Sequence, residues 1–116
     1  MGFKEDIAKE SWKVYRTGNN TIKMEIKGYG TGRGAVEAID TFDQYAMEIE
    51  GPVRLIVDLH EFVGYEKEVR EMWQHVVARH KEKGINIQAR GVKSTMVRMA
   101  VRVLSMTTGV DIEITS

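Results

Sequence analysis

The sequence predicts an α/β fold: a mixed β-sheet that opens with an N-terminal hairpin and continues in alternating helices and strands, in the order β-β-α-β-α-β-α-β. Three observations carry this. Two runs of alternating apolar and polar residues flank the turn-forming Gly18-Asn19-Asn20. Three downstream segments place apolar residues three and four apart. Short runs rich in Val and Ile separate and follow those segments.

Residues 1–10 are mostly polar and read as a loose segment. Trp12, Val14 and Arg16 alternate with Lys13 and Tyr15, and Ile22, Met24 and Ile26 alternate with Lys23, Glu25 and Lys27. The second run has a dry side and a wet side, which puts it at or near a sheet edge. After the glycine-rich stretch 28–35, Ala35, Ala38, Ile39, Phe42, Tyr45, Ala46 and Ile49 form one helical stripe, ended by Gly51 and Pro52. Val53-Arg-Leu-Ile-Val-Asp-Leu59 is almost continuously apolar and reads as a central strand covered on both faces. A second helix carries Tyr65, Val69, Met72, Trp73, Val76, Val77 and His80 on one face and closes at Gly84. Ile85, Ile87 and Ala89 make a strand, residues 94–107 a third helix stopped by Gly109, and Val110, Ile112 and Ile114 a last strand.

A chain of 116 residues is one domain, 1–116, and buries roughly two-thirds of its unfolded surface. Seventeen basic and seventeen acidic residues leave no net charge, so the whole-molecule field does not gather nucleic acid. The absence of cysteine excludes disulfides, thiolate metal sites and thiol nucleophiles. No window approaches the ~18 apolar residues of a membrane span, and the first residues lack a signal-peptide pattern. The expectation is a cytoplasmic soluble protein.

Gly30, Gly32 and Ala35 match G-x-G-x-x-A, the spelling of a turn that sets a dinucleotide's pyrophosphate on a helix N-terminus. Asp58 ends the next strand, near where an acid would hold the ribose. Two facts oppose a dinucleotide site. The preceding strand alternates instead of being apolar throughout, and too little chain remains for two mononucleotide halves and a catalytic domain. The favoured reading is a flexible connector, with glycines letting the chain leave the hairpin and enter the helix. Gly30, Gly32, Arg33 and Gly34 keep anion binding at that helix N-terminus open.

No cofactor, metal or catalytic set is nominated. His75 and His80 stand roughly 140° apart on a helix, and His60-Glu61 lacks further ligands. His80 is expected to cover core with its ring while a nitrogen reaches water. The carboxylate pairs Asp40 with Asp43 and Glu66 with Glu68 read as solvated helix surface. In the third helix, Arg98, Arg102 and Ser105 occupy a narrow strip while apolar residues fill roughly 220°, against the about 100° that one sheet face needs. Neighbouring helices cover the surplus, or it is a contact surface to which Met96, Met99 and Met106 bring adaptable side chains. A membrane-surface role has only two arginines to support it.

Leu55-Ile-Val-Asp-Leu-His-Glu-Phe-Val-Gly-Tyr65, a buried strand followed by a Gly-aromatic pair opening a helix, resembles the STAS-like family of anti-sigma-factor antagonists (SpoIIAA-like) and its divergent, lipid-binding-like relatives. Gly84-Ile-Asn-Ile-Gln-Ala, Gly91-Val-Lys-Ser ahead of Val97-Arg98, and Gly109-Val110 are similar too, so the resemblance spans about residues 11–115. It implies a mixed sheet with helices mainly on one face and a role in binding protein partners. Phosphorylated members carry Asp-Ser-Ser-Gly at the start of the second helix. Here Glu66-Lys67-Glu68-Val69 stands there, with no hydroxyl to phosphorylate and with Glu68 as a fixed negative charge. The resemblance also includes a final helix after the last strand that has no counterpart here, so one sheet region or helix flank is expected to be uncovered.

The expected function is a non-enzymatic regulatory or interaction module. Its partner-binding residues are Gly64, Tyr65, Glu66, Lys67, Glu68, Met96, Met99 and Met106, and its partner is another protein or a second copy in a homodimer. The alternative is a small-ligand binder, apolar between the helices or anionic at the glycine run, with Trp12 and Trp73 as probes.

Overall fold

The computed structural model describes residues 9–116. Apart from Lys9 and Glu10, the segment expected to be loose lies outside the described residues. Five strands and three helices follow in the predicted order: β1 Ser11–Arg16, β2 Thr21–Gly30, α1 Gly32–Glu48, β3 Val53–Tyr65, α2 Lys67–His80, β4 Ile85–Arg90, α3 Thr95–Thr108 and β5 Ile112–Ile114. The strands lie side by side in sequence order. β1 is antiparallel to β2, and β2 through β5 are mutually parallel. Each parallel pair is joined by one helix, and right-handed crossovers stepping always in the same direction leave all three helices on one face.

That face holds the core. Ile22, Met24 and Ile26 of β2, Leu55, Val57 and Leu59 of β3, and Ile87 and Ala89 of β4 are buried against Ala35, Ala38, Phe42 and Ala46 of α1, Val69, Val76 and Val77 of α2 and Val97 of α3. The other face is open and polar: Tyr15 donates to Glu25 at 2.5 Å, Gln88 to Glu113 at 2.7 Å and Arg90 to Gln88 at 2.9 Å. Lys23 and Glu25 point there, half-buried and beneath no helix among the described residues, so the wet side read from the alternation of β2 is where the alternation puts it.

β3 is the middle strand, as its apolar run predicts, but the helices cover one of its faces only. Arg54 and His60 are exposed and Asp58 is half-buried, while Ile56, on the open face, is flanked in register by Lys23 and Gln88. The continuous run misleads because a lone Ile on a polar sheet face is buried by its neighbours' side chains, with no second helix layer among the described residues.

α1 and α2 are tied by Asp43. Its carboxylate accepts from Arg79 at 2.5 Å and from His80 Nε2 at 2.7 Å, and the His80 ring meets Phe42 edge-on at 5.2 Å. Two expectations are corrected: Asp43 is not solvated helix surface, and the buried His80 turns its nitrogen to a carboxylate instead of to water. α3 ends as predicted at Gly109, left-handed at φ 73°, whose N–H bonds the Ser105 carbonyl at 2.8 Å.

Candidate functional site

β2 and β3 run on together past their neighbours. β1 pairs with β2 only as far as Lys27, and β4 with β3 only as far as Asp58, whereas β2 and β3 stay paired to Gly30 and Tyr65. Tyr65 therefore ends a strand and does not open α2, which begins at Lys67. Two register shifts interrupt this extension. Glu25 pairs with Asp58 but Lys27 with Glu61, and Gly28 pairs with Phe62 but Tyr29 with Gly64, so β3 carries one extra residue at each. An extra residue reverses which face the next side chains occupy. Phe62 and Tyr65 both reach the helix side, their rings stacked 6° from parallel with centroids 6.1 Å apart.

There they border an apolar cleft of about 100 Å³ between the sheet, α2 and α3. Trp12, Trp73 and Val101 line it with them, and Arg70 is the one charged lining residue among the described residues. The cleft is the space between helices that the sequence offered for an apolar ligand, and both tryptophans reach it.

The glycine run is not a connector. Gly28-Tyr29-Gly30 is strand and Gly32-Arg33-Gly34 is the first turn of α1, which leaves Thr31 alone between the two elements. Three of the four orphan N–H groups at the helix start are taken by the chain's own side chains. Glu10 accepts from the Thr31 N–H at 2.6 Å, Glu66 from the Gly32 N–H at 2.7 Å, and the Thr31 hydroxyl from the Gly34 N–H at 3.1 Å. α1 has no acid in its own first turn, so these two carboxylates, from before β1 and before α2, supply the negative charge its dipole favours. Burial acts to raise the Glu10 pKa. The bonds from the Thr31 N–H, the Trp12 indole and the Thr31 hydroxyl outweigh it and hold the carboxyl below the ordinary glutamate value. The glycines serve close approach: a Cβ on Gly34 would come 2.3 Å from Trp12 Nε1 and 2.4 Å from Glu10 Oε2, and one on Gly30 would stand 3.2 Å from both Trp12 and Phe62. Arg33 is exposed.

Glu66 and Glu68, predicted as partner contacts, thus stand against Gly32, predicted as an anion ligand. A Cβ on Gly32 would be 3.1 Å from Glu68 Cγ. Glu66 is half-buried and engaged, whereas Lys67 and Glu68 are exposed. Gly64 is buried under Tyr29 and next to the Met96 methyl, so the end of β3 and the start of α3 are neighbours.

On α3, Val97 is buried against the core, and Val101 and Leu104 pack on it. Met96, Met99, Val103 and Met106 face away, 54, 61, 40 and 82% exposed, so no described neighbour covers the surplus apolar arc. Sequence reasoning missed Phe62, Arg70, Tyr29 and Val103 as surface or cleft residues. Val103 was legible from its spacing with Met96, Met99 and Met106, whereas the bulges that turn Phe62 inward leave no sequence signal. Among the described residues no group of three or more His, Cys, Asp or Glu gathers as metal ligands would, and no helix is long and apolar enough to cross a membrane.

This architecture is that of a SpoIIAA-like fold. An uncharacterised protein of the DUF3478 family from Shewanella loihica PV-4, itself described as having a SpoIIAA-like fold, matches with a TM-score of 0.67 at 13% identity, over 90% of this chain and 84% of that one. At that identity the likeness is one of fold. No protein-family model and no curated protein matches the sequence.

Proposed function

We propose that the chain is a non-enzymatic regulatory module that works by binding another protein. Its contact face runs from the β3–α2 junction, Gly64 to Glu68, onto α3 at Met96, Met99 and Met106. The observation that carries this is the row of apolar side chains on α3 that no described element covers. Patches of contiguous exposed apolar surface mark interaction sites on folded proteins. The SpoIIAA-like fold of the Shewanella protein, shared here, supports the reading by analogy with anti-sigma-factor antagonists. In this proposal no serine phosphorylation switches the module, because Glu66-Lys67-Glu68-Val69 offers no serine or threonine. Glu68 supplies a permanent charge, while Glu66 is committed to capping α1. The proposed setting is the cytoplasm, with which a chain free of cysteine is compatible.

A photo-crosslinking residue at position 103, compared with one at position 13 on the open sheet face, tests the reading in cells. The expected result is one dominant product from position 103, none from position 13, and loss of that product when Met99→Asp is added. The same products from both positions would remove the proposed contact face. Light scattering over a range of concentrations shows whether a second copy is the partner.

The cleft supports a second reading, an apolar small-ligand site with Arg70 beside it. Its volume of about 100 Å³ is below the ~150 Å³ of a cavity that holds benzene and well below the ~300 Å³ at which ligand pockets begin. A ligand larger than a short alkyl group therefore requires α2 and α3 to part, which is why the surface reading comes first. Because Trp12 and Trp73 line the cleft, fatty acids entering it would change tryptophan emission. A flat response across chain lengths would set this reading aside.

A further inference from the structure

The spacing of the exposed row on α3 specifies more than apolarity. Met96, Met99, Val103 and Met106 follow one another at three, four and three residues, the step of a single coiled-coil seam. The seam is about 15 Å long, close to three helical turns. A Cβ on Gly64 would stand 3.9 Å from the Met96 methyl and 3.2 Å from the Tyr29 ring, so the Met96 end of the seam lies near Tyr29, which is 48% exposed.

The charge that α3 itself carries has one sign. The fourteen residues of α3 include Arg98 and Arg102 and no acid. Exposed Lys93 precedes the helix, the Lys81 ammonium lies against Gly109 where it ends, and Arg70 lines the cleft that α3 helps close. The nearest acid in sequence, Asp111, follows that terminal glycine. Arg98 reaches back toward the Val92 carbonyl and the Ser116 hydroxyl at 3.5 and 3.3 Å. Arg102 is exposed beside the seam.

We propose that this face receives an amphipathic helix of a partner protein, apolar at heptad spacing and acidic along its flanks. The inference rests on the interaction-module reading above and names the chemistry of the partner. A second copy of α3 fits poorly: it brings two more arginines and no carboxylate. A two-fold antiparallel pairing about the middle of the seam sets both copies of Arg102 on the same flank. Like charges so placed oppose association, whereas glutamates there favour it and select the partner. Three flexible methionines around one valine let the seam repack against the apolar residues of a helix that differs from itself.

The test uses three synthetic helical peptides with Leu at every a and d position and flanks of Glu, Gln or Lys, titrated into the whole protein by fluorescence anisotropy. The Glu peptide is expected to bind about tenfold more tightly than the Gln peptide and to lose that advantage as salt is raised. Met99→Asp should abolish binding, and Arg102→Glu should favour the Lys peptide. Far-UV circular dichroism confirms that both variants remain folded. Equal binding of all three peptides, lost in Met99→Asp, would overturn the acidic partner but keep the contact face. Dimerisation of the protein alone that Met99→Asp removes would assign the seam to a second copy. Binding to phosphatidylglycerol vesicles that Met99→Asp removes, without peptide binding, would assign it to lipid. Either result overturns the proposal. No binding in any of these assays, with Met99→Asp indistinguishable from the parent, would overturn the interaction reading as well.

Discussion

Glu66 Oε1 accepts a 2.7 Å hydrogen bond from the Gly32 N–H, and this one contact joins the start of α2 to the start of α1. With Glu10 bound to the Thr31 N–H at 2.6 Å, it takes two of the N–H groups that an external phosphate would need at this helix terminus. The G-x-G-x-x-A spelling is therefore met by internal carboxylates.

Titration calorimetry with NAD or NADP is accordingly expected to give no heat of binding. Removing one plug, Glu66→Ala, leaves the Gly32 N–H without its acceptor and should cost about 1–2 kcal/mol in urea unfolding. Glu66→Gln, which still accepts, should lose clearly less. A micromolar dissociation constant for the dinucleotide in the parent protein would contradict the assignment.

Gly34→Ala should destabilise by about 1–3 kcal/mol, because its Cβ has no room beside the Trp12 indole and rigid rings do not yield cheaply. Tryptophan emission should shift with it. Gly18→Ala, where the nearest side-chain atoms stand 3.9 Å away, should stay within about 0.5 kcal/mol of the parent. Similar stabilities for the two variants would show that Gly34 is not held by close approach.

The Asp43 tie supplies a third prediction. Asp43→Ala strands the buried His80 nitrogen and frees Arg79, and should cost about 1–3 kcal/mol. A cycle with His80→Phe separates the pair from its parts: the two changes should be markedly less than additive. Strict additivity would mean that the contact contributes nothing.

Acid should loosen the fold through Glu10 and Asp58. For Asp58, burial acts to raise the pKa, but bonds from the His60 N–H and ring, together with the charges of His60 and Lys23, hold it below the ordinary aspartate value. A carboxyl that titrates lower in the folded chain adds stability above its unfolded pKa and loses it as pH falls through the folded one. Urea midpoints should thus fall on acidification below about pH 5, and Glu10→Gln with Asp58→Asn should flatten that fall. The effect is modest because both side chains keep contact with water. An unchanged slope in the double variant would assign the acid sensitivity to other groups.

On α3, Met106→Asp at 82% exposure should leave stability within about 0.5 kcal/mol, while Val97→Asp at 3% should cost more than about 3 kcal/mol. Chemical unfolding of the two variants measures this division of the helix into an inner and an outer face. Equal losses would mean that the outer methionines are packed after all.

Element order, the hairpin and the apolar faces of the three helices were determined by the sequence itself, because periods of two and of three to four residues are local properties that the chain displays before it folds. The surplus arc of α3 was legible for the same reason. Tertiary structure alone decided the rest. That strands lie in sequence order, with β3 covered on one face, follows from repeated right-handed crossovers and not from the composition of β3. Which side chains border the cleft depends on two extra residues in β3: the first turns Phe62 inward, the second returns Tyr65 to the face of Leu55, Val57 and Leu59, and a bulge is set by pairing with β2. The fate of the glycine run was settled by carboxylates 34 and 21 residues away in sequence. Hydrogen bonds over such separations exist only once packing brings the partners together, so a pattern read along the chain names the donors and not what they hold.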